Sequence, residues 1–381
     1  MTTNESSADV IIIGGGVIGC AIAYYLGASH GISSLIIERN GIASEASGGA
    51  AGELAAAELT EKGSHRPSPT FTQFLLEGIS VHANLAPALL EESGIDYLLA
   101  DIPMLRPAFS PDEVDDMQSQ LAYLKSTGVS ADWIDRETLH DLGSWVANEA
   151  LGAIQSTELQ VESYSFAIAL ARAAEANGAE VRSGDVTGIE RDGSRVTGVR
   201  LGNDVLHADR VIIANGPWSK FAGEWVGLDV PVIPLRGQIV HVDCPPGVPL
   251  PHHAIFHTSG YVLPKASGKL YVGTTIEDVG FDRSTTTDAR DAIMEAVGRL
   301  APRVLDLPIR EMTACLRPYS LDDNPIIGAV PGLDGLFIAT GHAFKGITLC
   351  LITGKSLAEL IATGASEFPL DDFSPARLRS K

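Results

Sequence analysis

Apolar and polar positions follow two rhythms along this chain. Val10 to Ile13 is an unbroken apolar run, which predicts a short strand buried on both faces, as at the centre of a parallel sheet. A glycine turn, a helix and a second apolar run at 35–37 follow it, the run ending on Glu38 and Arg39. At 70–93 the apolar positions (Phe71, Phe74, Leu75, Ile79) take helical spacing, and Gly94 supplies the stop. Strands are expected at 95–108. Ser110 and Pro111 open a helix to about 126, and a short acidic helix spans 135–142. An alanine-rich helix covers 162–177. Strands follow at 181–184, 186–191, 196–201 and 205–208, with Asp192-Gly193 as a hairpin turn. Residues 210–214 read as another buried strand, running into Asn215-Gly216-Pro217-Trp218. Runs at 230–242, 260–264 and 270–275 suggest antiparallel strands of one sheet. A helix at 287–301 would be capped by Thr287 or Asp288. A last buried strand at 336–340 leads through the turn 341–346 into a long helix, 347–363, and a polar tail expected to be only partly ordered.

A chain of 381 residues can bury a large core and accommodate two domains. With no repeat and no low-complexity linker, the two are expected to be interleaved. The net charge of −21 argues against nucleic acid and anionic membrane surfaces as partners. No apolar run reads as an integral membrane segment, and the polar, acidic start (MTTNESSAD) lacks a signal pattern. Cys20, Cys244, Cys315 and Cys350 are scattered, which gives neither a zinc site nor a disulfide framework and fits a reducing, cytoplasmic setting.

Gly14, Gly16 and Gly19 form G-x-G-x-x-G between a strand and a helix. In that setting the first glycine permits a tight turn and the second a close approach to a pyrophosphate. The third lets helix pack on strand, and the helix start offers free N–H groups to the phosphates. Glu38, at the end of the next strand, is placed to accept from an adenosine ribose. The motif alone does not separate FAD from NAD. The small-residue stretch 43–57 would let backbone lie against a flat ring system, with Ser44 and Ser47 as polar contacts.

Five further segments occur in a recognisable order: VIIANGPWS, PLRGQIV, YVLPKASGKLYVGTT, CLRPYSLDDNPIIG and IATGHAFKGITL. With the N-terminal fingerprint they resemble the glycine oxidase, sarcosine oxidase and D-amino-acid oxidase superfamily over essentially the whole chain. The resemblance implies an α/β protein. Its Rossmann-like FAD-binding domain (1–80, 150–228 and 315–381) would be interleaved with an antiparallel-sheet substrate domain (81–149 and 229–314). It implies oxidation of a C–N bond of a small amino acid (glycine, an N-alkyl glycine such as sarcosine, or a small D-amino acid) by hydride transfer to flavin. The imine would be hydrolysed and the flavin reoxidised by O2, giving H2O2.

Carried over residue by residue, the resemblance assigns the substrate carboxylate to Arg317, Tyr261 and Lys345. To FAD it assigns Gly14, Gly16, Val17, Ile18, Gly19, Glu38, Arg39, Ser44, Ser47, Gly52, Val186, Ala214, Gly216, Trp218, Cys315, Gly341, His342, Lys345, Gly346, Ile347 and Thr348. The pocket looks hybrid: Arg317 resembles glycine oxidases, and Phe344-Lys345 resembles monomeric sarcosine oxidases. Cys315 stands where sarcosine oxidases join cysteine to the flavin, so a covalent cysteinyl-FAD bond is one reading and a buried thiol the other. Glu53 replaces a usually apolar residue; it either meets a second cation on the substrate or faces outward. Near 274–276 there is no counterpart of the lysine that speeds reaction with oxygen, so an acceptor other than O2 stays open. Two rivals remain: a 2-hydroxy-acid dehydrogenase, and a subunit of a hetero-oligomeric dehydrogenase. A homo-oligomer is also open.

Overall fold

The computed structural model describes residues 8–56, 67–143 and 145–378. The N-terminal stretch 1–7, Ala57 of the small-residue stretch and the end of the tail, 379–381, lie outside the described residues. In chain order the elements are β1 (Val10–Ile13), α1 (Val17–His30), β2 (Ser34–Glu38), α2 (Ala46–Gly49), β3 (Glu53–Leu54), α3 (Pro69–Ser93), β4 (Ala100–Ala108), α4 (Pro111–Ser126), β5 (Ala131–Asp135), α5 (Arg136–Asp141), β6 (Gly152–Gln160) and α6 (Ser163–Ala176). There follow β7 (Ala179–Ser183), β8 (Val186–Asp192), β9 (Arg195–Leu201), β10 (Asp204–His207), β11 (Arg210–Ile213), α7 (Ser219–Glu224), β12 (Val232–Asp243), β13 (Ala254–His257), β14 (Gly260–Pro264), β15 (Lys269–Gly273), α8 (Thr287–Leu300), β16 (Ile309–Ser320), β17 (Ile326–Ala329), β18 (Leu336–Thr340) and α9 (Gly346–Thr363).

A six-stranded sheet runs β17-β18-β11-β1-β2-β7, parallel except for the β17–β18 pair. Alternation along its central strands sends side chains to two cores. Val10, Ile12 and Ile36 pack under α1, α6 and α9, whereas Ile11, Ile13, Leu35 and Ile37 meet the three-stranded sheet β10-β9-β8 and α7. Helix α9 lies so close to α1 that a Cβ on Gly354 would be 2.6 Å from the Ala21 carbonyl carbon. This explains one departure from expectation: 343–363 is long and apolar enough to cross a membrane by composition, but 67% of its apolar 18-residue window is buried inside the fold.

The second layer is a nine-stranded sheet, β16-β12-β15-β14-β13-β4-β6-β3, with β5 added on β6. One face carries Val240, Val262 and Val272 against Ile293 and Val297 of α8. The other carries Met104, Tyr261 and Leu263. Strands β5 and β6 went unread in the sequence, and β6 sits in this sheet although residues 150–228 were expected on the cofactor side. Likewise β16 begins and ends in this sheet, across the expected boundary at 315. The cap of α8 is Thr286, whose Oγ1 accepts the Ala289 N–H (3.2 Å), not Thr287 or Asp288. The hairpin turn falls on Gly193-Ser194, because Asp192 still pairs with Arg195. The tail through 378 is packed: Phe373 is fully buried against Phe74, and Arg377 pairs with Asp322 (2.7 Å).

Candidate active site

The carboxyl ends of β1, β2, β11 and β18 open into one cavity of about 810 Å³, whose opposite wall is the nine-stranded sheet. In a parallel sheet, that end is where ligands bind. Gly14 turns at φ 114°, and a Cβ there would be 2.6 Å from the Ala214 carbonyl oxygen, so the turns after β1 and β11 meet only through a glycine. Gly19 sits behind this wall, where a Cβ would be 2.1 Å from the Gly14 carbonyl oxygen; it is needed for packing rather than contact.

Glu38 is fixed by two backbone donors, Gly15 N–H to Oε2 and Asn40 N–H to Oε1, both 2.8 Å. Each oxygen keeps capacity for a further donor such as a ribose hydroxyl. Helix α1 follows its cap residue Gly16, which has no side chain to bond the helix start; Ser47 Oγ accepts the Val17 N–H (3.0 Å), and the dipole of the first turn faces the cavity, where an anion is favoured. Arg39 lies over the Trp218 ring at 4.3 Å. Asn215 Oδ1, also on the wall, is buried without a partner among the described residues, an acceptor waiting for a donor. These groups fit a dinucleotide: an open helix start for phosphate, a held carboxylate for ribose, an orphaned acceptor and a small-residue floor at Gly49, Ala50 and Ala51.

Of the residues expected at the cofactor, Gly14, Gly16, Val17, Ile18, Glu38, Arg39, Ser47, Val186, Ala214, Gly216, Trp218, Cys315, His342, Lys345, Gly346 and Ile347 line the cavity. Ser44 does not: it is exposed and lies off the wall. Gly52, Gly341 and Thr348 lie one layer behind. Gly52 (φ 85°) nests against the Val161 carbonyl, Gly341 turns at φ 76° beside Ser320, and Thr348 is buried under Glu53.

At the other end Arg317, Tyr261 and Lys345 share the cavity. Arg317 donates to the Thr275 carbonyl (3.1 Å) and Thr274 Oγ1 (2.9 Å) and lies over the Phe344 ring. Its guanidinium crosses β12 directly above Gly237, where a Cβ would be 2.1 Å away. Tyr261 stacks on Phe256 (4.9 Å), and burial holds its phenol protonated, well above the ordinary tyrosine range. Burial lowers the Lys345 pKa, an effect Glu53 opposes. Burial pushes His342 down to about 3, so its ring is neutral; Nε2 is 3.0 Å from Thr353 Oγ1 and Nδ1 has no partner among the described residues. The Cys315 thiol lines the cavity, pushed up by burial, 3.9 Å from the Gly49 carbonyl oxygen.

Three features escaped the sequence reading. Arg106, on the cavity wall, is buried with Ser156 and Glu158. Lys265 donates to the Ala51 and Val161 carbonyls (2.7 Å each), clamping the floor loop, and burial lowers its pKa to about 8. Gly237 makes room for Arg317. The available signal was a charged residue inside an apolar run, as in MLRPA at 104–108. Glu53, left open between inward and outward, faces the cavity.

The family model described as DAO, FAD dependent oxidoreductase, matches residues 9–360. The chain belongs to this family. It is therefore an FAD-dependent enzyme, and FAD is the dinucleotide its fingerprint fits. Among similar proteins, glycine oxidase of Geobacillus kaustophilus is 32% identical over 376 residues, 97% of each chain. Hydrogen cyanide synthase subunit HcnC of Pseudomonas aeruginosa is 29% identical over 403 residues, 97% of this chain and 96% of its own. The crystal structure of the Geobacillus glycine oxidase superposes with a TM-score of 0.90 at 30% identity, covering 97% of this chain and 99% of that one.

Proposed function

We propose that this family member oxidises the C–N bond of a small amino acid, among which glycine, sarcosine, other N-alkyl glycines and small D-amino acids are the first to test. The observation that carries the reading is Arg317: a guanidinium pinned by Thr274 and Thr275, in the same cavity as the dinucleotide fingerprint and beside Tyr261. A planar fork so held can grip a carboxylate bidentately and fix which C–H is presented. The Tyr261 hydroxyl, kept protonated by burial, adds a donor. Arg317 and Lys345 together disfavour an ammonium and favour the neutral amine that oxidation requires. FAD, when bound, supplies the two-electron oxidant that accepts hydride from the α-carbon. Similarity to proteins named glycine oxidase supports the amino-acid class. We take O2 as the acceptor; the relative named HcnC and the absence of lysine at 274–276 favour keeping a dehydrogenase with another acceptor as the second reading. The cytoplasm remains our proposed location, on four cysteines that are all free.

Anaerobic flavin bleaching tests this. Glycine, sarcosine, D-alanine, D- and L-proline and several 2-hydroxy acids are mixed with the FAD-loaded protein, and air is then readmitted. Bleaching by an amino acid, reversed quickly by air with peroxide formed, is the expected result. Slow reversal assigns a dehydrogenase. Bleaching by hydroxy acids alone overturns the amine reading.

A further inference from the structure

Glu53 and Arg317 stand on the two edge strands of the nine-stranded sheet, β3 and β16, and the sheet curls so that both face one cavity. Tyr261, on β14 between them, feels both charges, Arg317 lowering and Glu53 raising its pKa beneath the larger effect of burial. The substrate end therefore has a cationic side and an anionic side.

Nothing among the described residues neutralises the anionic side fully. The Glu53 carboxylate accepts no hydrogen bond there, and its ion-pair contact is Arg106 Nη2 at 4.0 Å, the outer limit of such a pair. Arg106, 3% exposed, is committed elsewhere: Nη1 donates to Ser156 Oγ (2.8 Å) and Nη2 to Glu158 Oε1 (3.4 Å). Glu158 is itself held by the Ser156 hydroxyl (2.9 Å) and the Ala56 N–H (3.4 Å). One guanidinium thus contacts two carboxylates, and Glu53, whose charge also reaches Lys345 and the buried Lys265 without an ion-pair contact to either, is the looser of the two, 15% exposed on the cavity wall. A carboxylate in that position loses water when a substrate fills the cavity. A neutral extension of the substrate would leave it bare, whereas an ammonium would satisfy it.

Resting on the amino-acid reading above, we propose that Glu53 is a specificity residue for substrates bearing a second, cationic nitrogen. The α-carboxylate is held at Arg317, and an ammonium on the side chain or N-substituent is received at Glu53.

Isosteric pairs test it on the FAD-loaded enzyme: D-ornithine against D-norleucine, and N-(2-aminoethyl)glycine against N-propylglycine. The wild-type kcat/KM should favour the cationic member of a pair by about 10–100-fold, the size of one charge-assisted hydrogen bond. Glu53→Gln should bring that ratio to about one or below, and Glu53→Asp should restore part of it. A second readout needs no turnover. α-Methylornithine and α-methylnorleucine lack the α-hydrogen, and their Kd values from flavin spectral titration should differ in the same sense and converge in Glu53→Gln. Equal kcat/KM and Kd values within a pair in the wild type, or a preference untouched by Glu53→Gln, overturn the inference while leaving amino-acid oxidation intact. If no amino acid bleaches the flavin, the amino-acid reading has failed and this inference falls with it.

Discussion

Gly237→Ala separates the grip of Arg317 from the stability of the fold. Gly237 lies in β12, paired with Cys315 of β16, and its backbone is ordinary extended strand, so alanine brings no conformational strain. The new methyl group would instead sit 2.1 Å from the Arg317 guanidinium. That guanidinium is the far end of a flexible side chain and must swing away, leaving its bonds to Thr274 and Thr275. Hydrogen bonds to charged groups contribute about 1.5–3 kcal/mol each, so losing a bidentate grip on a carboxylate costs about 3 kcal/mol at the low end. At 1.36 kcal/mol per decade, kcat/KM should fall by at least ~100-fold. The fold should lose less than ~1 kcal/mol, since alanine in a strand is preferred to glycine by about that amount. Steady-state kinetics with whichever amino acid bleaches the flavin, alongside thermal melting and flavin absorbance per mole, measures all three quantities. An alanine variant with normal flavin content and kcat/KM within ~3-fold of wild type would show that Arg317 does not hold the substrate from this position.

Other consequences can be checked separately. The Cys315 thiol is pushed up by burial and directed at the Gly49 carbonyl, so acid precipitation should release all the flavin. Colour retained in the pellet and lost in Cys315→Ser would establish a thioether instead. Glu38→Ala strips an acceptor from the Gly15 and Asn40 N–H groups and should yield protein with weakened FAD retention, read by the flavin-to-protein absorbance ratio. His82 is fully buried against the Ile347 carbonyl (2.9 Å), and burial lowers its pKa to about 4. The folded state therefore binds fewer protons than the unfolded one between about 6.5 and 4. Stability is full above 6.5 and falls by roughly 3 kcal/mol as pH drops through that window. His342 acts in the same direction, down to about 3. Melting curves at pH 7 and pH 4.5 should show the loss, and it should be smaller in His82→Gln.

The parallel sheet was legible because its strands are buried on both faces and announce themselves as runs such as VIII, and because the glycine spacing after β1 has a mechanical cause. Strand β6 was not, since in GAIQSTELQ the inward face that Ile154 begins continues with Ser156, Glu158 and Gln160, buried polar residues of which the first two serve Arg106. Polar residues that point inward break the two-residue pattern on which a strand reading depends. The end of the cavity around Arg317 was legible only where a motif marked it. The residues that position Arg317 come from β12 and the 274–275 segment, and sequence distance hides such meetings. Ser44 and Ser47 carry the same sequence signal for a polar contact, but Ser47 lies in α2 on the cavity wall and Ser44, in the turn before α2, is exposed.

The order of strands in the six-stranded sheet bears on how the enzyme is made. The fingerprint strand β1 leaves the ribosome early, yet β11, β18 and α9, which complete its sheet, cover α1 and supply Thr340 and Ile347 to the cavity, are synthesised late. The glycine turn after β1 alone is half a socket. Flavin capture must therefore wait until nearly the whole chain has emerged, which makes cofactor supply a late checkpoint in biosynthesis rather than an early nucleus for folding.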